Sequence, residues 1–431
     1  MRKQNTPFIV KVVRTSNGER LPTLLDRASG LPDFDATLWV VTSLRNKNLA
    51  SETIAQALRS IIVLYIVFRF CKISLTKRLQ ADSWLTLAEV EEISKAARQT
   101  TSFNAKTIGE QDVIDQTKAT NKITSLEKFR MVMSVRESDS DVDAGTTSIR
   151  MGYIREFLKW RINRAIARAT NDKKEKLIAL RDLVDVELKN KTPTSTGRAS
   201  LGKRIGIDRQ TQNNLLNIVT PTNQQNPWTG EFIRSRNHLI INSFLALGVR
   251  RGELLGMRVG DIKPYNQEVF ILRRPDDAHD PRLREPNTKT RDRALPLSNE
   301  LYRIMQSYMF LRHDIVRGRH EFLVVANTGS PLSSSEINQI FKSLDGYPEL
   351  SKLSPHILRH SFCENLADDL YTAGKSDDEI LYYLRRLGGW SEISDTPRRY
   401  TKRFAQERAA EAGMSLQEKL YINVPPQKFN E

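Results

Sequence analysis

Cysteine is almost missing from this chain: Cys71 and Cys363 stand far apart and form no CxxC pair or zinc-ligand cluster. That excludes a disulfide framework and a structural zinc set, and suits a reduced, cytoplasmic protein. A glycine-rich phosphate loop is missing too, and no metal and no nucleotide or other cofactor is expected. Long apolar runs are also lacking. The longest, Ile61–Phe68, lies between Arg59 and Arg69 and falls well short of the roughly 20 residues a helix needs to cross a bilayer. No continuous apolar stretch follows Arg2 and Lys3, so neither a secretory signal nor a membrane role is expected. Acidic residues are scarce relative to basic ones: 51 Asp and Glu against 67 Lys and Arg give a net charge of +16. Such a surplus favours a polyanionic partner, either nucleic acid or an anionic membrane surface.

At 431 residues the chain is long enough for two or three domains. Residues 1–35, with Pro7, Pro22 and Pro32, read as a loose arm with at most one hairpin. Residues 36–188 read as a helical domain. Within it Ser51 looks like an N-cap, followed by Ile54, Leu58, Ile61, Ile62, Tyr65 and Phe68 at helical spacing. A second helix over Thr147–Thr170 carries Arg155, Lys159, Arg164 and Arg168 opposite its apolar stripe. With almost no acid among them, that face reads as a nucleic-acid contact, together with Arg45 and Lys47 ahead of the first helix. Residues 189–204 read as a flexible basic linker. Beyond it, residues 205–412 read as a mostly helical domain. Strands are expected at Glu268–Leu272, Arg293–Leu297 and Phe322–Ala326. Helices are expected at Asn237–Leu247, Ser334–Leu344, Pro355–Asp369, Asp377–Leu387 and Pro397–Gly413. Residues 413–431 form a tail in which Ser415 and Glu418 could cap a further short helix.

Three motifs in the second half carry chemistry. In Gly248-Val-Arg250-Arg251-Gly-Glu253 a helix ends, the chain turns and a new helix begins. Arg250 can project from that break with Glu253, three residues on, to orient it. In Ser354-Pro355-His356-Ile-Leu-Arg359-His360, Ser354 is a good N-cap and Pro355 a good first helical residue. His356 and Arg359 then share one face near a helix N-terminus, a place favourable to phosphate. In Leu387-Gly-Gly-Trp390, followed by Pro397-Arg-Arg-Tyr400-Thr-Lys402, a tyrosine stands among cations that favour its phenolate. Each motif alone recurs by chance in a basic chain.

Their joint order, Arg…Lys…His-x-x-Arg…Trp…Tyr, resembles the catalytic signature of the tyrosine recombinase (phage integrase) family. The matching elements are GVRRGELL, NTKTRDRALPL, PHILRHSF, LGGWS and Tyr400, within residues 205–412. The resemblance implies a mainly α fold with a small β-sheet: a helical SAM-like core-binding domain, then a mixed α/β catalytic domain, closing on a duplex as a clamp. It implies site-specific cleavage and rejoining of double-stranded DNA through a 3′-phosphotyrosine, integrating or excising a mobile element. Arg250 and Arg359 would bind the scissile phosphate, Lys289 would protonate the leaving 5′ oxygen, and His356 would act on the nucleophile proton or the phosphate. Trp390 stands where many members have a second histidine, and Tyr400 would be the nucleophile. Arg291 and Arg293 share the hairpin with Lys289 and compete with it. A homo-tetramer on DNA, aided by accessory DNA-bending or directionality proteins, is implied as the assembly, with the tail docking on a neighbouring protomer. A topoisomerase, a telomere resolvase or a catalytically idle DNA-binding regulator would share much of this pattern.

Overall fold

The prolines of the first 35 positions do not leave that segment loose. Phe8–Arg14 (β1) pairs antiparallel with Arg20–Asp26 (β2), Phe8 opposite Asp26 and Arg14 opposite Arg20. Pro22 is tolerated because each strand of a two-stranded ribbon is an edge. The computed structural model describes residues 6–105, 141–194, 206–286 and 291–421, and the chain divides into two units, Met1–Gly197 and Arg198–Glu431. Lys289, residues 195–204 of the basic linker and residue 205 after it lie outside the described residues.

In the first unit the hairpin packs against α2 (Ser51–Phe70), which also meets α4 (Leu87–Arg98) and α5 (Ala144–Ile166). Two short helices, α1 (Phe34–Trp39) and α3 (Leu75–Gln80), and α6 (Asn171–Asn190) also belong to it. Ala50, one residue before the expected Ser51, is the N-cap of α2. By length and composition α2 could cross a membrane, but most of it is buried inside this unit. Leu58 and Ile61 there, Trp39 on α1 and Phe157 on α5 form the core, the Trp39 and Phe157 rings meeting edge-on at 5.3 Å. Each such side chain contributes roughly 1.5–3 kcal/mol on burial. Thr86 and Glu89 close a reciprocal cap at the start of α4.

The second unit is helical around a small antiparallel sheet. It opens with α7 (Arg209–Val219) and α8 (Glu231–Leu247), longer at its start than its apolar pattern indicates. Gly248 stops α8 at φ 58°, in the left-handed region, and a Cβ there would strike the Phe362 ring at 2.1 Å. After α9 (Arg251–Gly256) come β3 (Ile262–Lys263), β4 (Glu268–Ile271) and β5 (Arg293–Pro296), with Val269 flanked by Ile262 and Leu295. Phe322–Ala326 is not the expected strand. It makes only isolated bridges, Arg258 with Phe322 and Val325 with Pro331. Arg312 donates to the Phe322 and Leu323 carbonyls at 2.9 and 3.1 Å, occupying acceptors a ladder would need. Then follow α10 (Asn299–Val316), α11 (Ser334–Lys342), α12 (Pro355–Thr372), α13 (Asp377–Gly388) and α14 (Arg398–Tyr421). The last helix runs straight through Gly413, so Ser415 and Glu418 sit inside it and cap nothing. Mainly α with a small sheet is the resulting class.

Candidate active site

Three breaks in the helical chain meet at one cavity. The first is the turn between α8 and α9, where Arg250 is the N-cap and its backbone N–H donates to the Glu253 carboxylate at 2.9 Å. The second is the start of α12. Ser354 accepts from the Ile357 N–H and Pro355 takes the first helical position, so His356 and Arg359 fall on one face. The third is the end of α13, where Gly389 turns the chain at φ 69° and presents Trp390. Arg250, Arg251, His356, Arg359, Trp390 and Arg399 line the resulting space of about 520 Å³.

The two arginines are held by shared partners. Arg250 and Arg359 both donate to the Gly388 carbonyl, at 3.0 and 2.7 Å. Arg359 also donates to the Gly248 carbonyl. Both guanidiniums lie over the Trp390 ring, 5.3 and 4.4 Å from its centroid. Arg359 is 3% exposed. Burial first, then the neighbouring Arg250, pulls its pKa down to about 10, still protonated at neutral pH. Arg251 shares none of these partners and donates instead to Asn338, another cavity-lining side chain, at 2.9 Å. Glu253, fully buried, accepts from Arg250 at 3.3 Å and from Arg293 at 2.8 and 3.2 Å. Arg293 further donates to the Leu387 carbonyl at 2.8 Å. Of the two rivals to Lys289, then, Arg293 is occupied in buttressing Glu253, and Arg291 is exposed near Glu392.

Tyr400 does not line the cavity. It lies in the first turn of α14, is 5% exposed, and packs with Cys363, Ala367, Ile380 and Leu384. Its hydroxyl is 2.8 Å from His360 Nδ1, and Arg399 Nη2 donates to it at 3.3 Å. His360 Nε2 in turn is 3.0 Å from His356 Nε2. The tyrosine therefore reaches the cavity-lining histidine through a second histidine that the sequence motif contains but that spacing gave no role. Burial drives the Tyr400 pKa upward against the pull of Arg399. Burial, then Arg399, lowers His360 to about 4, and burial followed by Arg399, Arg359 and Arg250 lowers His356. Both shifts favour the neutral imidazole.

Residues 209–407 match the model described as the phage integrase family. The chain carries a phage integrase family domain. Every residue of this site, from Arg250 to Tyr400, falls inside it. Over 164 residues the chain is 28% identical to the transposase from transposon Tn916 of Enterococcus faecalis, covering 35% of this chain and 39% of that protein. The match thus spans about two-fifths of the relative's length. Among solved structures, XerH site-specific recombinase bound to a palindromic difH substrate overlaps with TM-score 0.39 at 14% identity, over 83% of this chain and 95% of that one. The Tn1549 transposon integrase with circular intermediate DNA gives 0.36 at 17%, over 69% and 97%.

Outside the integrase domain, the expected DNA-contact residues are engaged within the first unit. Arg45 donates to Glu19 at 2.7 Å, and Lys47 pairs with Glu156. Arg155 meets Asp185 through two bonds, at 3.2 and 3.1 Å, and Lys159 meets the same carboxylate at 3.5 Å. Arg164 pairs with Asp35. The face of α5 that reads as uncompensated in sequence is thus largely neutralised by acids from α1 and α6. Only tertiary packing delivers those acids.

Proposed function

We propose that this chain is a site-specific DNA recombinase that cuts and rejoins double-stranded DNA through a 3′-phosphotyrosine on Tyr400, integrating or excising a mobile element. The observation that carries the reading is the cavity of about 520 Å³ on which Arg250, Arg359 and His356 converge, with a buried tyrosine hydrogen-bonded through His360 to its wall. Fixed guanidiniums supply charge stabilisation of a phosphoryl transition state, and Trp390 keeps them in place. Lys289, carried over from the family pattern, protonates the departing 5′ oxygen. Tyr400 attacks phosphorus, the P–O5′ bond breaks, and a 5′-hydroxyl from a second duplex later reverses the step. DNA is the partner that a net charge of +16 favours. The family domain and the likeness to a transposon transposase support a mobile-element role over a topoisomerase, telomere resolvase or idle regulator. We further assign residues 36–188 to core DNA binding, 205–412 to catalysis, and the end of α14 to protomer docking in a tetramer on DNA.

The test is covalent capture. Nicked suicide duplexes tiled across the DNA flanking the protein's own gene should become linked to the wild-type chain and not to Tyr400→Phe. Linkage in that variant, or its loss in Tyr382→Phe or Tyr383→Phe instead, would assign the nucleophile elsewhere.

A further inference from the structure

We propose that His360 is a catalytic residue, a proton relay that carries the Tyr400 proton to His356 when a phosphate enters the cavity. The inference rests on the recombinase reading above and adds to it a residue and a coupling. It starts from three atoms in series: Tyr400 Oη, 2.8 Å from His360 Nδ1, and His360 Nε2, 3.0 Å from His356 Nε2. A neutral imidazole carries one N–H and one bare nitrogen. Two Nε2 atoms at this distance bond only if one is protonated and the other is not. With Tyr400 donating to Nδ1, His360 must hold its proton on Nε2 and donate to a bare His356 Nε2. His356 then carries its proton on Nδ1. This assignment satisfies every bond in the series.

The step balances without any outside reagent. The Tyr400 O–H bond breaks and its proton joins His360 Nδ1. The His360 Nε2–H proton passes to His356 Nε2. Tyr400 is left as phenolate, His360 as the neutral Nδ1–H tautomer, and His356 as imidazolium. The charges around the chain set its direction. In the absence of an anion, Arg250, Arg359 and Arg399 oppose a further positive charge on His356. A phosphate clamped by Arg250 and Arg359 reverses that, because the imidazolium then faces an anion. The phenolate meanwhile keeps Arg399, whose Nη2 already donates to it and whose guanidinium carbon lies 5.1 Å from its ring centroid. His360 is 2% exposed and Tyr400 5%, so bulk water does not reach the first transfer, while His356, the final acceptor, is exposed at the cavity wall. Arrival of the phosphate thus charges the nucleophile, and a tyrosine buried behind two histidines stays protonated until then.

Two measurements test this. In the full wild-type chain, imidazole nitrogen NMR should report the Nε2–H tautomer for His360 and the Nδ1–H tautomer for His356. A proton on His360 Nδ1 would overturn the relay outright, since that nitrogen could accept nothing from Tyr400. Single-turnover linkage to the tiled suicide duplexes supplies the second. His360→Asn keeps an oxygen against Tyr400 but passes no proton onward, and should slow linkage by about 100-fold. A sulfur leaving group in place of the 5′ oxygen needs no proton and should rescue Lys289→Ala, yet leave the His360→Asn defect in place. Wild-type rates in His360→Asn, or rescue of it by sulfur, would reduce His360 to a packing role. Linkage by Tyr400→Phe would instead sink the recombinase reading itself.

Discussion

Arg250 and Arg359, 109 positions apart in the chain, donate to one and the same acceptor, the Gly388 carbonyl, at 3.0 and 2.7 Å. A single backbone oxygen therefore fixes the spacing of the two guanidiniums, and the Trp390 ring beneath them fixes their plane. The clamp is built before any phosphate arrives, so little reorganisation is left for the transition state.

Removing either arm should therefore cost rate far more than binding. Arg250→Ala and Arg359→Ala are expected to lose on the order of 100-fold or more in cleavage. DNA affinity should fall only modestly, because many other basic residues share phosphate contacts. Filter binding and single-turnover cleavage on the same duplex separate the two quantities. A parallel collapse of both would place these arginines in general DNA binding.

Gly388 should tolerate no side chain. A Cβ there would stand 2.0 Å from the Trp390 ring, and overpacking of that kind costs about 1–3 kcal/mol. Gly388→Ala should lower the melting temperature and the cleavage rate together. In a Trp390→Ala background the added methyl should cost clearly less stability, because the clashing ring is gone. Equal costs in the two backgrounds would show that the methyl meets something else.

Glu253 is fully buried between two cations, so its charge needs both. Arg293→Met should destabilise the second unit by about 3 kcal/mol, the scale of a broken buried pair, while Glu253→Gln/Arg293→Met should recover part of that loss. Urea unfolding followed on that unit reads both variants. A cost below about 1 kcal/mol for Arg293→Met would mean that Arg250 alone satisfies the carboxylate.

Much of this site is legible in sequence, and the illegible part has a common cause. Ser354 and Pro355 announce the start of α12, and Gly248 announces the turn after α8, because caps and left-handed positions are local choices of the chain. The roles of Gly388, Arg293 and His360 are not local. A carbonyl looks the same at every residue, and Arg293 acquires its meaning only when β5 is set beside Glu253. His360 was in view one turn after His356, but only the packing of α14 puts Tyr400 against its other nitrogen. The same holds for Asp185 and Asp35, which compensate a helix they do not belong to, and for Phe322–Ala326, where Arg312 takes the carbonyls of an otherwise strand-like run.

Acid should weaken this fold in a definite window. Unfolded, His360 would protonate near 6.5, whereas folded it resists protonation down to about 4. Below 6.5 the unfolded chain binds a proton that the folded one refuses, so stability falls with pH between about 6.5 and about 4 and then levels off. The full difference is on the order of 3 kcal/mol, and His356 is shifted in the same direction. Melting temperatures recorded across this range should fall more steeply for wild type than for His360→Asn. Matching slopes would mean that His360 is not held neutral in the fold.

The far end of α14 bears on assembly. Met414, Leu416 and Leu420 are 62%, 61% and 66% exposed, on a helix that continues without a break from the turn carrying Tyr400. Three large apolar side chains left in water within seven residues fit a segment that is covered by another molecule. Packing on its own unit, the rival explanation, is not seen for these three. If a neighbouring protomer covers them, the same helix links that contact to the position of the nucleophile. Removing residues 414–431 should leave a chain that binds one half-site as a monomer and builds no tetramer. Leu416→Glu/Leu420→Glu should do the same without shortening the helix. Sizing by light scattering on a full DNA site reads the outcome, and tetramers of undiminished yield from both variants would rule out the docking role.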